Sequence, residues 1–457
     1  MPEMDFTALG HAGWLIEAAG LRLVCDPLLF VDHHGGVFEV HPRRRVRAEQ
    51  LRADFVLVSH RHPDHFDVPS LALLARLDPD TVVLTPDTLI AATASALGFR
   101  SVRVVAPGQL VALAGDLRLV TSESAAGHEW GVMLASEGAT AWNMVDTVFR
   151  GPTQLTQVRA RALAALGHAR LDFALVPWQP MLEIAAQLGH AIAFPHAAYA
   201  ELLDQLAVID AGTIVPGAAG TVHAEPYAWL DAIVCPLDEA RFIADARRRH
   251  PGMQVLPLVL GGRYRIGPGT VELDDAGGAA LIERVPGGPT RPRVALDIPP
   301  LVDPLRWLGA PASSAVMQTD VARWIDHELG PALVRHHHEF EFELERPLRF
   351  AVEVVFADAR LLRTLVVGPG SLDVHDMIAP DWDAYDAIAG SMLWEVLQGR
   401  RHWGDPLLAG CLRARLRVAA NVGEVFFYYA LSYAASVERA TAWAIEQAND
   451  ERMRGRT

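Results

Sequence analysis

The sequence predicts a mixed α/β fold of two packed sheets with helices outside, followed by a smaller α+β unit. Three observations point there. Short apolar runs bounded by Gly, Pro and Asp open the chain in hairpin spacing. Strands then alternate with helical patterns to about residue 216, and a stretch rich in Gly, Pro and Arg at 267–304 separates them from a second run of strands.

Taken in order, residues 14–18 and 21–26 read as a hairpin around an Ala-Gly pair, and 55–59 as a short buried strand. Residues 82–86 and 102–107 repeat that pattern with a helix over 88–97 between them. Residues 117–120, 131–135 and 141–145 form a further strand series, and strands at 174–178 and 213–216 flank a helix over 197–208. In the second unit, 339–345, 351–356 and 362–367 alternate like paired strands, with helices expected over 382–397 and 422–446. The chain divides on this reading into a catalytic domain, 1–270, and a C-terminal α+β domain, 300–457, that caps the site, selects substrate or makes a homodimer.

Composition narrows the function. The net charge of −15 over 457 residues disfavours a nucleic-acid surface. No apolar run is long enough to cross a bilayer, and the N-terminus MPEMDFTALGHAGW lacks a basic segment followed by an apolar one, so a cytoplasmic location is expected. All 40 basic residues are Arg, which leaves no Lys to act as base, Schiff-base former or oxyanion donor. Cys25, Cys235 and Cys411 lie far apart and form no CxxC pair, against a disulfide framework or a self-contained iron–sulfur cluster.

The chemistry concentrates in SHRHPDHFD, residues 59–67. The apolar run 55–58 ends at Ser59, so the histidines sit on a loop leaving a sheet, where rigid scaffolds display functional groups. His60 and His62 can converge from one extended turn, while Asp64 and His65 face a second point. Four imidazole and carboxylate ligands within six residues are dense enough for two metal ions of the Zn, Fe, Mn or Ni kind. The structural alternative is a helix cap at Asp64 with three surface histidines. His336-His337-His338 reads as a solvated loop.

The HxHxDH pattern resembles the metallo-β-lactamase superfamily. The resemblance implies an αββα sandwich with metal ligands drawn from several loops at one edge of the sheets. It assigns His128 in SAAGHEWG as the next ligand and Asp146 in WNMVDT as the carboxylate shared by both ions. His223 in GTVHAEP is the best match for the last histidine, with His196 in FPHAAY as the rival. One ion would be held by His60, His62 and His128, the other by Asp64, His65 and His223. Asp64 and Asp146 are the candidate catalytic carboxylates. His11 in LGHAGW is a candidate for positioning a ligand or touching substrate, and Glu129 or Glu183 for adding a carboxylate.

The order of GHAGWLIEAAGLRLVCDPLLF, SHRHPDHFDVPSL, GHEWGVML, NMVDT, VPGAAGTVHAEPY and SMLWEVLQGRRHWGDPLLAG further looks like the catalytic part of CMP-N-acetylneuraminate hydroxylase and its relatives. The chain is also similar to metallo-β-lactamase-fold diiron monooxygenases of natural-product pathways. These resemblances imply a dinuclear non-heme iron monooxygenase, with O2 as co-substrate, hydroxylating a bulky, partly apolar small molecule such as a terpenoid or a CoA or nucleotide conjugate. With no Rieske ligands in this chain, electrons would come from a separate ferredoxin or reductase. The alternative is a dizinc hydrolase of a small ester, lactone or phosphodiester. Trp130, Trp142, Trp178 and Trp229 flank the ligand loops and are candidates for walling an apolar pocket.

Overall fold

The computed structural model describes residues 4–125, 129–144, 146–180, 182, 186–189, 192–218, 220–287, 298–303, 313–335, 346–417 and 433–449. Its first sheet has eight strands, in spatial order Thr270–Asp274, Arg263–Gly267, Met4–Gly10, Gly13–Ala18, Leu21–Cys25, Phe55–Leu57, Val82–Thr85 and Ser101–Val104. The second has seven, in the order Leu110–Ala114, Leu117–Glu123, Trp130–Ala135, Thr140–Asn143, Leu171–Val176, Ala211–Pro216 and Gln254–Val255.

The period-2 pattern explains how these sheets stack. Phe6, Trp14, Ile16, Leu23 and Leu57 point to one face of the first sheet and meet Leu119, Val132, Phe173 and Leu175 of the second. The alternate residues Leu15, Val24 and Val56 point the other way, against the helices Val68–Leu77 and Thr88–Ala96. Met133, Ala174 and Val176 do the same on the second sheet, under Pro152–Leu166, His196–Ile209 and Glu239–Arg249. Both faces of both sheets are therefore buried, which gives an αββα sandwich.

A smaller five-stranded sheet follows, in the order Ser371–His375, Arg360–Gly368, Leu348–Val355, Ala384–Ala389 and Leu412–Leu416, covered by Ser314–Trp324 and Gly390–Leu397. The helix Tyr433–Asn449 leaves this unit and returns to the sandwich, where Ala444, Ile445 and Ala448 join the core over the first sheet.

Two expectations are corrected. The Gly/Pro/Arg-rich stretch, read as a linker or domain border, carries strands: Thr270–Asp274 forms an edge hairpin with Arg263–Gly267, and Ile282–Arg284 pairs with Arg44–Val46. Gly269, with φ 73°, makes the turn of that hairpin. The helix expected over 382–397 begins only at Gly390, because Ala384–Ala389 lies between two strands, parallel to Leu348–Val355 and antiparallel to Leu412–Leu416. Cross-strand pairing in the middle of a sheet overrides local helical preference there. The expected strand over 339–345 and the first part of the helix over 422–446 lie outside the described residues, as does His336-His337-His338. Among the described residues no helix is long and apolar enough to cross a membrane.

Phe173 is fully buried where the two sheets meet, its ring 5.3 Å from Phe6 and 5.8 Å from Tyr264. Truncation there leaves a cavity that neither sheet can close. Phe173→Ala is expected to cost about 3–5 kcal/mol in denaturant unfolding; a loss below about 1 kcal/mol would mean that the sheets do not share one core.

Candidate functional site

The strand Phe55–Leu57 delivers Ser59 and the histidine loop to one edge of the sandwich, and Asp67 then starts the helix Val68–Leu77. Asp67, not Asp64, is the cap: its carboxylate accepts from Ser70 N at 3.0 Å and from the Ser70 hydroxyl. Asp64 is thereby left for the site. Arg61 turns away from its histidine neighbours and forms a two-pronged pair with Asp87 at 2.5 and 2.8 Å.

Asp26 organises the loop from beneath. It follows the strand Leu21–Cys25, adopts φ 40°, and accepts from Ser59 N and Ser59 Oγ, both at 2.8 Å, and from His65 Nδ1 at 3.0 Å. Because the Ser59 hydroxyl donates to Asp26, its oxygen accepts from His60 Nδ1 at 2.9 Å. One carboxylate thus places a proton on Nδ1 of both His60 and His65 and turns each Nε2 to the site.

Those nitrogens meet carboxylates. His65 Nε2 lies 3.0 Å from Asp146 Oδ2 and 3.5 Å from Asp64 Oδ2, and His60 Nε2 lies 3.8 Å from Asp146 Oδ2 and 2.8 Å from His62 Nδ1. Three groups have ligand atoms within 4.8 Å of one another: His60, His62 and Glu129; His60, His65 and Asp146; and His11, Asp64 and His65. They overlap at His60 and His65. The donor set is nitrogen and oxygen only, which fits a pair of divalent ions of the zinc or iron kind.

Charge follows geometry. Burial pushes His60 down to about 2, helped by His65 and His62. Burial would raise Asp64 and Asp146, yet His65 beside them holds both below the usual carboxylate range, Asp146 at about 2. The same two carboxylates hold His65 well above its ordinary value despite its burial.

His11 Nε2 lies 3.1 Å from Asp64 Oδ2, while its Nδ1 accepts from Gly220 N at 3.2 Å. The proton therefore sits on Nε2 and is donated to Asp64, so His11 holds that ligand in place. Gly220 approaches so closely that a Cβ would lie 2.6 Å from His11 N, and only glycine fits.

His223 lies apart from the three ligand groups. Both of its ring nitrogens face acceptors, Asp231 Oδ1 at 2.6 Å and Leu408 O at 3.1 Å, and Phe38 stacks beside it with ring centroids 4.6 Å apart. The rival His196 opens the helix His196–Ile209 against Phe194, also outside the groups. His128 and Glu183 lie outside the described residues. Trp130, Trp142 and Trp178 are buried in the cores, and Trp229 lies under the Arg413 guanidinium, so none walls a pocket at the site.

Sequence reasoning passed over Asp26, His33 and His34. His33 is buried and stacked on Phe38, with centroids 5.4 Å apart, and 6.3 Å from the His11 ring. Burial and the neighbouring His11 push it well below the ordinary imidazole range. His34 Nε2 lies 2.7 Å from Asp405 Oδ1, and Arg401 Nη2 donates to Gly35 O at 2.6 Å, which ties this turn to the C-terminal unit. The doublet in VDHHGG was the available signal, but no spacing linked it to HxHxDH.

Residues 5–145 match the family model described as a beta-lactamase superfamily domain. A UPF0173 metal-dependent hydrolase of Carboxydothermus hydrogenoformans is 39% identical over 62 residues, 14% of this chain and 24% of that protein. A Rieske 2Fe–2S iron–sulfur protein of Mycobacterium tuberculosis is 35% identical over 85 residues, 18% of this chain and 16% of that one. The chain thus spans no more than a quarter of the length of either of these relatives. Among solved structures, an isothiocyanate hydrolase from Delia radicum gut bacteria aligns at TM-score 0.42 and 17% identity, over 58% of this chain and 99% of that one. The diiron β-hydroxylase CmlA of Streptomyces venezuelae aligns at TM-score 0.39 and 16% identity, over 57% and 54% of the two chains. The family match and the paired sheets with outer helices give this chain a metallo-β-lactamase fold, extended by a C-terminal α+β unit.

Proposed function

We propose that the protein is a dinuclear non-heme iron monooxygenase that hydroxylates a bulky, partly apolar small molecule. The observation that carries this reading is Glu129, brought to His60 and His62 in one ligand group. With Asp64 and Asp146 it makes three carboxylates around the histidines, a hard oxygen-rich set that suits iron in its oxidised state. In this reading His60, His62 and Glu129 hold one ion, Asp64 and His65 the other, and Asp146 stands between them. Two iron ions would supply O2 binding and electron storage.

The chain's own groups prepare that site. Asp26 fixes the histidine protons, His11 holds Asp64, and the Asp87 pair keeps Arg61 from competing for the carboxylates. Electrons would come from a separate ferredoxin or reductase, since Cys25 and Cys411 are buried and far from forming a cluster motif. A dizinc hydrolase is the second reading, favoured by the hydrolase name of a relative that matches 62 residues and by the same ligand set.

Metal analysis separates the two. Protein from cells supplied with both metals is expected to carry close to two irons per chain and to take up O2 when reduced with a substrate present; two zincs with ester or lactone hydrolysis and no O2 response would replace this reading with the second. His62→Ala is expected to lower metal content and turnover together.

Asp26→Ala touches no ion directly. It is expected to weaken metal retention about 10–100-fold in chelator competition, because His60 and His65 lose the partner that sets their tautomers. Retention equal to the parent's would show that the two histidines are oriented by something else.

A further inference from the structure

A cavity of about 360 Å³ lies between the histidine loop and the C-terminal unit. Pro63 and Phe66 of the loop form one wall, and Ala440, Trp443 and Ala444 of the helix Tyr433–Asn449 form the opposite one. The lining is mostly apolar, and apart from Asp32 its charged groups are already engaged. Asp67 caps its helix, His34 binds Asp405, Arg401 binds Gly35 O, and Arg400 binds Glu395.

His33 differs from these. It lines the cavity, is only 3% exposed, and neither ring nitrogen has a hydrogen-bond partner among the described residues. A buried imidazole without partners carries an unfavourable desolvation that a ligand group can relieve. Its ring stands 6.3 Å from that of His11, which holds Asp64, so His11 links a group bound at His33 to that carboxylate.

We propose that this cavity takes the apolar body of the substrate and that His33 hydrogen-bonds its one polar group, a hydroxyl or carbonyl. The C-terminal helix is then the wall that selects substrate by size. A phosphate-bearing conjugate would have to leave its phosphates outside, because the guanidinium groups lining the cavity are committed to protein acceptors. This deepens the oxygenase reading and rests on it for the chemistry, not for the binding.

The test titrates the metal-loaded full chain with 2-naphthol and with naphthalene, by fluorescence and competition. The parent is expected to favour 2-naphthol by about five- to tenfold, the worth of one hydrogen bond. His33→Phe preserves the ring on Phe38 and is expected to abolish that preference while naphthalene still binds. Ala444→Trp fills the cavity and is expected to abolish binding of both, with the parent's metal content retained in each variant. Binding of neither probe to the parent, an unchanged preference in His33→Phe, or intact binding in Ala444→Trp would overturn the proposal. Two zincs and no O2 response would overturn the oxygenase reading alone, since probe binding does not depend on which metal is present.

Discussion

The site depends on one buried carboxylate. Asp26 accepts from Ser59 and His65 and, through the Ser59 hydroxyl, sets the proton on His60. It is 1% exposed, so an unpaired charge there would be costly, and the bonds it collects are those that orient the ligand loop. The strand Leu21–Cys25 that carries it lies parallel to Phe55–Leu57, which carries the loop. Sheet pairing thus brings carboxylate and histidines together before any metal binds, and the conformational cost of gathering ligands is met by the fold.

Around that centre the molecule is layered by how tightly each group is committed. Asp67 and Asp87 cap helices and hold the loop's ends, His11 and Gly220 hold Asp64, and the small sheet of Asp32–His33, Phe38–Val40 and Thr221–His223 brings His33 to the rim. Among the described residues, the carboxylates grouped with the inner histidine nitrogens are those of Asp64, Asp146 and Glu129. That division between committed and available groups makes the arrangement chemically specific.

Much of the sandwich was legible because its strands obey strict alternation: Phe6, Trp14 and Phe173 point to one core while their neighbours point to another. The HxHxDH cluster was legible because its side chains are neighbours in sequence. His223 lies outside that cluster, and order along the chain could not show this; Asp231, eight residues on, is its Nδ1 partner. Asp26 and His33 were missed for a related reason. Their roles come from parallel pairing and from a three-stranded sheet that joins segments almost two hundred residues apart, and no local pattern carries that information. The strand Ala384–Ala389 shows the same limit, since its partners lie about thirty residues away on either side.

The contacts across the two units have a consequence for how the chain folds. Gly35, with φ 63°, lies so close to the Arg401 guanidinium that a Cβ would meet it at 2.9 Å, while His34 and Asp405 bury a polar pair and His223 reaches Leu408 O. If the C-terminal unit came away, all of these partners would be exposed or stranded at once, along with the apolar contacts of Ala444 and Ala448. Separation is therefore costly in the same terms as unfolding, and the two units should melt in a single cooperative transition, not as independent beads on a string.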